Sequence, residues 1–532
     1  MFDFILKIGL IREEKMNKNL KVFGLMGLVL ALSACKVLPP KDGEYELTLV
    51  HVNDVHGRAK EGKYDGVGLA RVATIAKALE QDKNNGKVLL IDAGDTMHGT
   101  TFATLTKGES MVETLNAAGL DYATLGNHDF NYGQERLEEL LSMQKYKTLA
   151  ANVVDKTTGK PIAGTYDIRK IDGKKVGFFG LATPETYFKT NPNNVKNITI
   201  ADPIATAKSV VAQMKKEGVK FIVVIAHLGD DESTARNLQS VGLAEAVPEI
   251  DLIIDGHSHT ELKEKKVVNG VTIVQTGEYA KNVGVVKVDF DKLKNRIEAM
   301  DYTLYTKNVI MNGDNPVPED AKVKATIDEI SRKQEMITGV KVGESPILLQ
   351  GDRAYVRTGE TNLSQLITDA MLWKTGADVA LTNGGGIRAS INPGEVTVGD
   401  VISVLPFGNY VITKEVKGSD LQKAVENGLR SYPESLGAMA QVSGMTVKFN
   451  VKNPAYRRVL EIKVGNEKLD PNKTYVVATN DFMAAGGDGY SSLANGKELG
   501  HYPALDEVLI EYIQKVGLEG RDKVVPRLIP KK

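Results

Sequence analysis

The sequence predicts an α/β protein of two domains, and three observations carry that expectation. The chain has 532 residues, more than one hydrophobic core usually supports. From residue 45 to residue 310, short near-continuous apolar runs alternate with segments of helical periodicity. That alternation argues for sheets covered by helices on both faces. Beyond residue 340 histidine nearly vanishes and arginine, glycine and aromatic motifs take over, which marks a second unit.

The ends of the chain read separately. "MNKNLKVFGLMGLVLALSA" has a basic start (Lys18, Lys21), an apolar run and small residues, so it reads as an export signal too short to span a membrane, with Met16 as the true start. The single cysteine, Cys35, closes "LSAC", which resembles the bacterial lipobox; the alternative is an ordinary secretory signal with a chance cysteine. On the lipobox reading residues 1–35 are a signal, Cys35 is lipidated, and the exported chain is anchored to the bacterial cell envelope without disulfides. Residues 36–44 form a tether, because Pro39 and Pro40 prevent helix and sheet pairing. A formal charge of −1 excludes the basic excess of a nucleic-acid-polymer partner.

Within residues 45–315 five strand-like runs each end in metal-type residues. "YELTLVHVNDVHG" ends in Asp54 and His56, "KVLLIDAGDTMHG" in Asp92 and Asp95, and "DYATLGNHDF" in Asn127 and His128. "FIVVIAHLGD" ends in His227, and "DLIIDGHSHT" in His257 and His259. Five of the eight histidines fall in these motifs. Ligands gather beyond the carboxyl ends of strands in such layouts, so the five ends are expected to converge. Two adjacent divalent cations need a bridging carboxylate with imidazoles and a few oxygens, and Asp95 is the natural bridge. Asp92 lies in its strand and His51 within another, so both are read as structural, as is His501; His98 is a lesser candidate for substrate contact.

A helix with Val323, Ile327, Ile330 and Met336 at helical spacing is expected within residues 316–340, linking to a domain at 341–528. That domain presents Arg353 and Arg357 in "GDRAYVRTGE" and Arg388 after a glycine turn in "VALTNGGGIRASI". "VLPFGNYVIT" adds Phe407 and Asn409, and "YVVATNDFMAAGGDGY" adds Phe482 and Asp488. Arginine forks suit phosphate, aromatic faces suit a planar base, and a carboxylate accepts from ribose hydroxyls. A substrate gripped by one domain and cut by the other implies closure, with the linker helix as the hinge region.

This order of motifs resembles the metallophosphoesterases, and more closely the 5′-nucleotidase family that includes bacterial UDP-sugar hydrolases, over residues 45–525. The resemblance implies a four-layer αββα catalytic domain and a C-terminal α/β substrate-binding domain. It implies one cation (Zn, Mn or Co) on Asp54, His56, Asp95 and His259. A second would share Asp95 and add Asn127, His227 and His257. UDP-sugar hydrolases of the family often show Gln where this chain has His259. The resemblance also assigns Arg353, Arg357 and Arg388 to phosphate, Phe407 and Phe482 to the base faces, Asn409 to the base edge and Asp488 to the ribose.

The activity implied is metal-dependent hydrolysis of phosphate esters or anhydrides of nucleotides or nucleotide sugars, with His128 as the catalytic imidazole. Where the family usually reads "GNHEFD", this chain reads "GNHDFN". Asn131 is therefore expected to orient His128 by accepting its N–H, without stabilising the imidazolium; Asp129 is expected to point away. Rival readings are a 2′,3′-cyclic-nucleotide phosphodiesterase with 3′-nucleotidase activity, a dinucleotide hydrolase acting on NAD, and a nucleotide-binding surface lipoprotein whose activity has decayed.

Overall fold

A computed structural model describes residues 45–531 apart from 63–65, 232–233, 292–295 and 314. The signal, the tether and Cys35 lie outside the described residues.

Two six-stranded sheets form the catalytic domain. In the first, Leu47–Val52, Lys87–Asp92, Tyr122–Ala123 and Lys147–Thr148 run parallel, and the hairpin Asn282–Asp291/Arg296–Thr306 closes one edge antiparallel. In the second, Lys174–Ala182, Phe221–His227, Leu252–Ile254 and Val271–Val274 run parallel. The sheets pack face to face through Leu47, Leu89, Ile91, Phe178, Phe221 and Ile225, all fully buried. Burial on both faces is why these strands read as unbroken apolar runs rather than alternating ones.

Helices cover the outer faces, completing the four-layer αββα arrangement. Leu69–Gln81 and Glu109–Ala118 pack on the first sheet, while Pro203–Lys216 and Ser240–Ala246 pack on the second. The linker helix is Ala321–Thr338, begun by Asp320, whose carboxylate accepts from the amides of Lys322 and Val323. It joins the first helical layer through Val323, Ile327 and Ile330. Met336 does not share that face: it is 87% exposed, and Gln334 is buried in its stead. Gln334 continues the spacing of 323, 327 and 330, whereas 336 is rotated off it, so the expectation for Met336 is corrected. The helix ends at Gly339, and the next carbonyl, that of Val340, accepts from the Val398 amide at 2.9 Å.

The C-terminal domain centres on a five-stranded mixed sheet: Ala440–Ser443, Val379–Asn383, Thr474–Asn480, Tyr410–Lys417 and Lys497–Ala504. Helices Asn362–Thr375 and Leu505–Val516 cover one face and Gly418–Leu429 the other. His501 lies on the strand Lys497–Ala504, exposed and paired with Glu498. Thr101 Oγ1 crosses between domains, 2.8 Å from Ser403 Oγ and 3.0 Å from the Gly399 carbonyl. No helix among the described residues is long and apolar enough to cross a membrane.

Phe178 is fully buried between the sheets and stacks on Tyr122 at 4.6 Å. Phe178→Ala is expected to cost about 3–5 kcal/mol in urea unfolding, and Met336→Ala less than about 0.5 kcal/mol.

Candidate active site

The five predicted strand ends do converge. The parallel strands of both sheets finish at one edge, and Asp54, His56, Asp95 and Asn127 from the first sheet meet His227, His257 and His259 from the second. Asp54, His56 and His259 form one group of possible metal ligands, and Asp54, Asp95 and His227 another. His259 Nε2 is 3.3 Å from Asp54 Oδ1 and 3.2 Å from His56 Nε2. Asp95 Oδ2 is 3.2 Å from His227 Nε2 and 3.8 Å from His56 Nε2, so one oxygen faces both groups. Asp54 Oδ1 also faces both, at 3.9 Å from each of these imidazoles.

Local backbone makes this convergence possible. Asp54, His56, Asp95, His257 and His259 all have positive φ, between 48° and 76°. Each such non-glycine residue costs of order 1–3 kcal/mol and persists where the surroundings over-determine it. The Asp129 carboxylate supplies much of that determination, accepting from the amides of Asp95, Thr96, Met97 and Gly126 at 2.8–3.2 Å. It thus points away from His128. Gly126 is required for close approach: a Cβ there would stand 2.2 Å from Asp95 Oδ1.

The donor set fits divalent cations. Ligand atoms about 2.0–2.2 Å from one cation lie roughly 3–3.5 Å from each other, and the shorter separations here, 3.2–3.3 Å, fall in that range. His227 Nδ1 is held by the Ala93 carbonyl at 2.7 Å, leaving buried Nε2 without a hydrogen-bond partner beside Asp95. Burial alone would lower the His227 pKa, but the Asp95 and Asp54 carboxylates outweigh it and hold it at about 10. His257 Nε2 meets Glu185 at 2.8 Å, so its Nδ1 presents a lone pair to Asn127 Oδ1, 2.8 Å away. With that tautomer the imidazole lone pair and the amide oxygen are both directed so that a divalent cation could take them as ligands. Asp92 stands apart from this set; its carboxylate accepts from the Gly94 amide, and burial pushes it up to about 8.

Two residues that orient these imidazoles were not anticipated. Glu185 backs His257, and Glu278 backs His259 at Nδ1. Both follow ends of parallel strands, Lys174–Ala182 and Val271–Val274, as the ligands do, and that position was the available signal.

His128 donates its backbone N–H to Asp95 Oδ1 at 2.7 Å, and the residue is half-buried at the cluster. Burial, then Arg388, holds its pKa well below the ordinary value, although Asp95 pulls the other way. Asn131 Nδ2 stands 3.0 Å from His128 Nδ1, while Asn131 Oδ1 takes the Thr190 hydroxyl. The expected direction is therefore corrected: the amide donates rather than accepts, because its nitrogen is the end that faces the ring, with the oxygen turned to Thr190. Nδ1 becomes the acceptor and the ring hydrogen sits on Nε2.

A cavity of about 360 Å³ joins this cluster to the C-terminal domain. Arg353, Arg357, Arg388, Phe407, Asn409, Phe482 and Asp488 all line it. Arg357 Nε is shielded without a partner, and burial with the neighbouring Arg353 and Arg388 charges pushes its pKa down to about 9. Three crowded guanidiniums define an anion site. Phe407 stacks on His98 at 4.9 Å and lies 5.5 Å from His128, with Arg388 over its ring at 5.6 Å. His98 thus supports Phe407 from below. Phe482 is buried against Gly487, where a Cβ would come within 2.3 Å of its ring, so "GGDG" needs glycine there. Asp488, at φ 53°, accepts from Asn383 Nδ2 at 2.8 Å. Asn383 lines the same cavity, and it opens the glycine motif from which only Arg388 had been singled out.

An imidazole and carboxylate cleft opposed by an arginine wall is what a metal-dependent phosphoric ester hydrolase requires. Residues 47–261 match the calcineurin-like phosphoesterases and residues 340–495 the 5′-nucleotidase C-terminal domain. The chain is 30% identical over 528 residues to the 5′-nucleotidase of Vibrio cholerae, covering 92% of this chain and 94% of that one. It is 33% identical over 539 residues to the trifunctional nucleotide phosphoesterase protein YfkN of Bacillus subtilis, covering 92% of this chain and spanning 35% of that protein's length. The crystal structure of a 5′-nucleotidase precursor from Thermus thermophilus superposes with a TM-score of 0.79 at 31% identity, over 91% of this chain and 99% of that one. The chain belongs to the 5′-nucleotidase family.

Asp129→Ala leaves three amides of the Asp95 turn, and that of Gly126, without their acceptor. It is expected to weaken metal binding at least about tenfold, measured by chelator competition with the fold monitored by circular dichroism.

Proposed function

We propose that this chain hydrolyses nucleotides with two divalent cations, releasing phosphate and nucleoside, and that it acts on nucleotide-sugar or dinucleotide anhydrides as well. The observation that carries this reading is that one cavity holds both the histidine–carboxylate cluster and the set Arg353, Arg357, Arg388, Phe407, Phe482 and Asp488. Asp54, His56, Asp95 and His259 would hold one cation, and Asp95, Asn127, His227 and His257 the other. Zn, Mn or Co suits this mixed imidazole, amide and carboxylate set. Such a pair supplies Lewis-acid charge and a water of low pKa.

The chain's own residues do the rest. The three arginines grip and orient the phosphate in the cleft. Phe407 and Phe482 offer faces to the base, Asn409 its edge contact, and Asp488 accepts from the ribose. His128 Nε2–H donates to the phosphoryl or leaving-group oxygen, and Asn131 keeps that hydrogen on Nε2 by donating to Nδ1. In its cellular setting the protein is an exported lipoprotein anchored through Cys35, a reading supported by the "LSAC" signal alone.

The test is phosphate release from AMP, ATP, UDP-glucose, NAD and 2′,3′-cyclic AMP, with chelator and metal add-back. Activity on AMP that chelation abolishes and metal restores is expected. Release from the cyclic substrate alone would instead establish the phosphodiesterase reading, and no release from any would establish a binding protein. Asp95→Ala is expected to be inactive, and His128→Ala to lose roughly 10²–10⁴-fold in kcat while still binding metal; near-full kcat in His128→Ala would remove its proton-donor role. Asn131→Asp puts an acceptor at His128 Nδ1, so it is expected to raise the imidazole pKa and move the pH–rate profile between about pH 5 and 9. A superimposable profile would show that position 131 does not tune His128.

A further inference from the structure

We propose that Glu278 is a positioning residue that serves both halves of the site, fixing His259 for its cation and holding Arg353 in place for the substrate phosphate. The inference rests on the two-cation nucleotide hydrolase reading above. Glu278 follows the strand Val271–Val274 and is largely buried among the metal-site residues. One of its oxygens, Oε2, meets His259 Nδ1. The same oxygen lies 3.4 Å from Arg353 Nη1, which comes from the other domain. Its second oxygen pairs with Lys281 at 3.0 Å.

The chemistry of Nδ1 decides the geometry. Arg353 Nη1 is also 2.7 Å from His259 Nδ1. For His259 Nε2 to bind a cation beside Asp54, the ring hydrogen must sit on Nδ1. Nδ1–H and the guanidinium are then both donors and cannot bond each other. Only Glu278 accepts from both, so the carboxylate keeps the imidazole in its ligating tautomer and gives Arg353 its partner. Arg353 is anchored where the two domains face each other, with its side chain 38% exposed and able to turn to an incoming phosphate. The carboxylate thereby couples the metal centre to the substrate domain.

The experiment compares wild type with Glu278→Gln, Glu278→Ala, Arg353→Ala and the double variant Glu278→Ala/Arg353→Ala. Metal affinity is read by competition with a chromophoric chelator, and kcat and KM for AMP at saturating metal, with circular dichroism confirming the fold. Glu278→Gln, which keeps shape but loses charge, is expected to weaken the affinity for one of the two cations roughly 10–100-fold. Glu278→Ala is expected to raise KM severalfold with a smaller change in kcat, and to add nothing to KM in the Arg353→Ala background. Unchanged metal affinity in Glu278→Gln, or a KM effect that persists in full without Arg353, would overturn the inference. A wild type that neither binds metal nor hydrolyses AMP would instead overturn the function on which it rests.

Discussion

Asp95 and His227 come from different sheets, are almost wholly buried, and stand 3.2 Å apart at the edge where the sheets meet. Their approach depends on the apolar layer between the sheets, because Leu89, Ile91, Phe221 and Ile225 set the separation of the strands that carry them. Asp54 and Asp95 are buried with imidazoles around them rather than ammonium or guanidinium groups in direct contact. Isolated buried carboxylates are costly, so the arrangement is one that a cation completes. The left-handed backbone at five of the seven proposed ligands is strain of the same origin, held by packing and by the Asp129 carboxylate.

The second domain contributes the opposite charge. Its arginines crowd one another enough to depress Arg357, which an anionic substrate relieves. Cluster and arginine wall are complementary through the ligand between them. Direct contacts across the gap include the polar pairs Thr101 with Ser403 and Arg353 with Glu278, and the stacking of Phe407 on His98.

Position 131 shows how one side chain changes a site without disturbing it. An aspartate there would accept from the His128 ring and favour its cation. The asparagine, its oxygen taken by Thr190, donates and favours the neutral ring with its hydrogen on Nε2. The residue that decides between these states, Thr190, is 59 positions away and belongs to no motif.

Much of the architecture was legible in the sequence because it is written in local periodicity. Parallel strands buried on both faces must be apolar throughout, and their carboxyl ends must carry the polar residues, so Asp54, Asp95, His128, His227 and His257 announced themselves by position. The residues that line the cavity from the second domain were singled out through short motifs and family resemblance. The linker helix was legible by its spacing, except at Met336, where an apolar residue lies off the buried stripe. What only the tertiary structure decided is which side chains share an acceptor. Glu185, Glu278, Thr190 and Asn383 are common polar residues with no periodic signature, and their roles exist only because the two sheets and two domains bring distant segments within hydrogen-bond reach. The direction of the Asn131 bond and the double claim on Glu278 depend on three partners meeting at once, which no single stretch of sequence records.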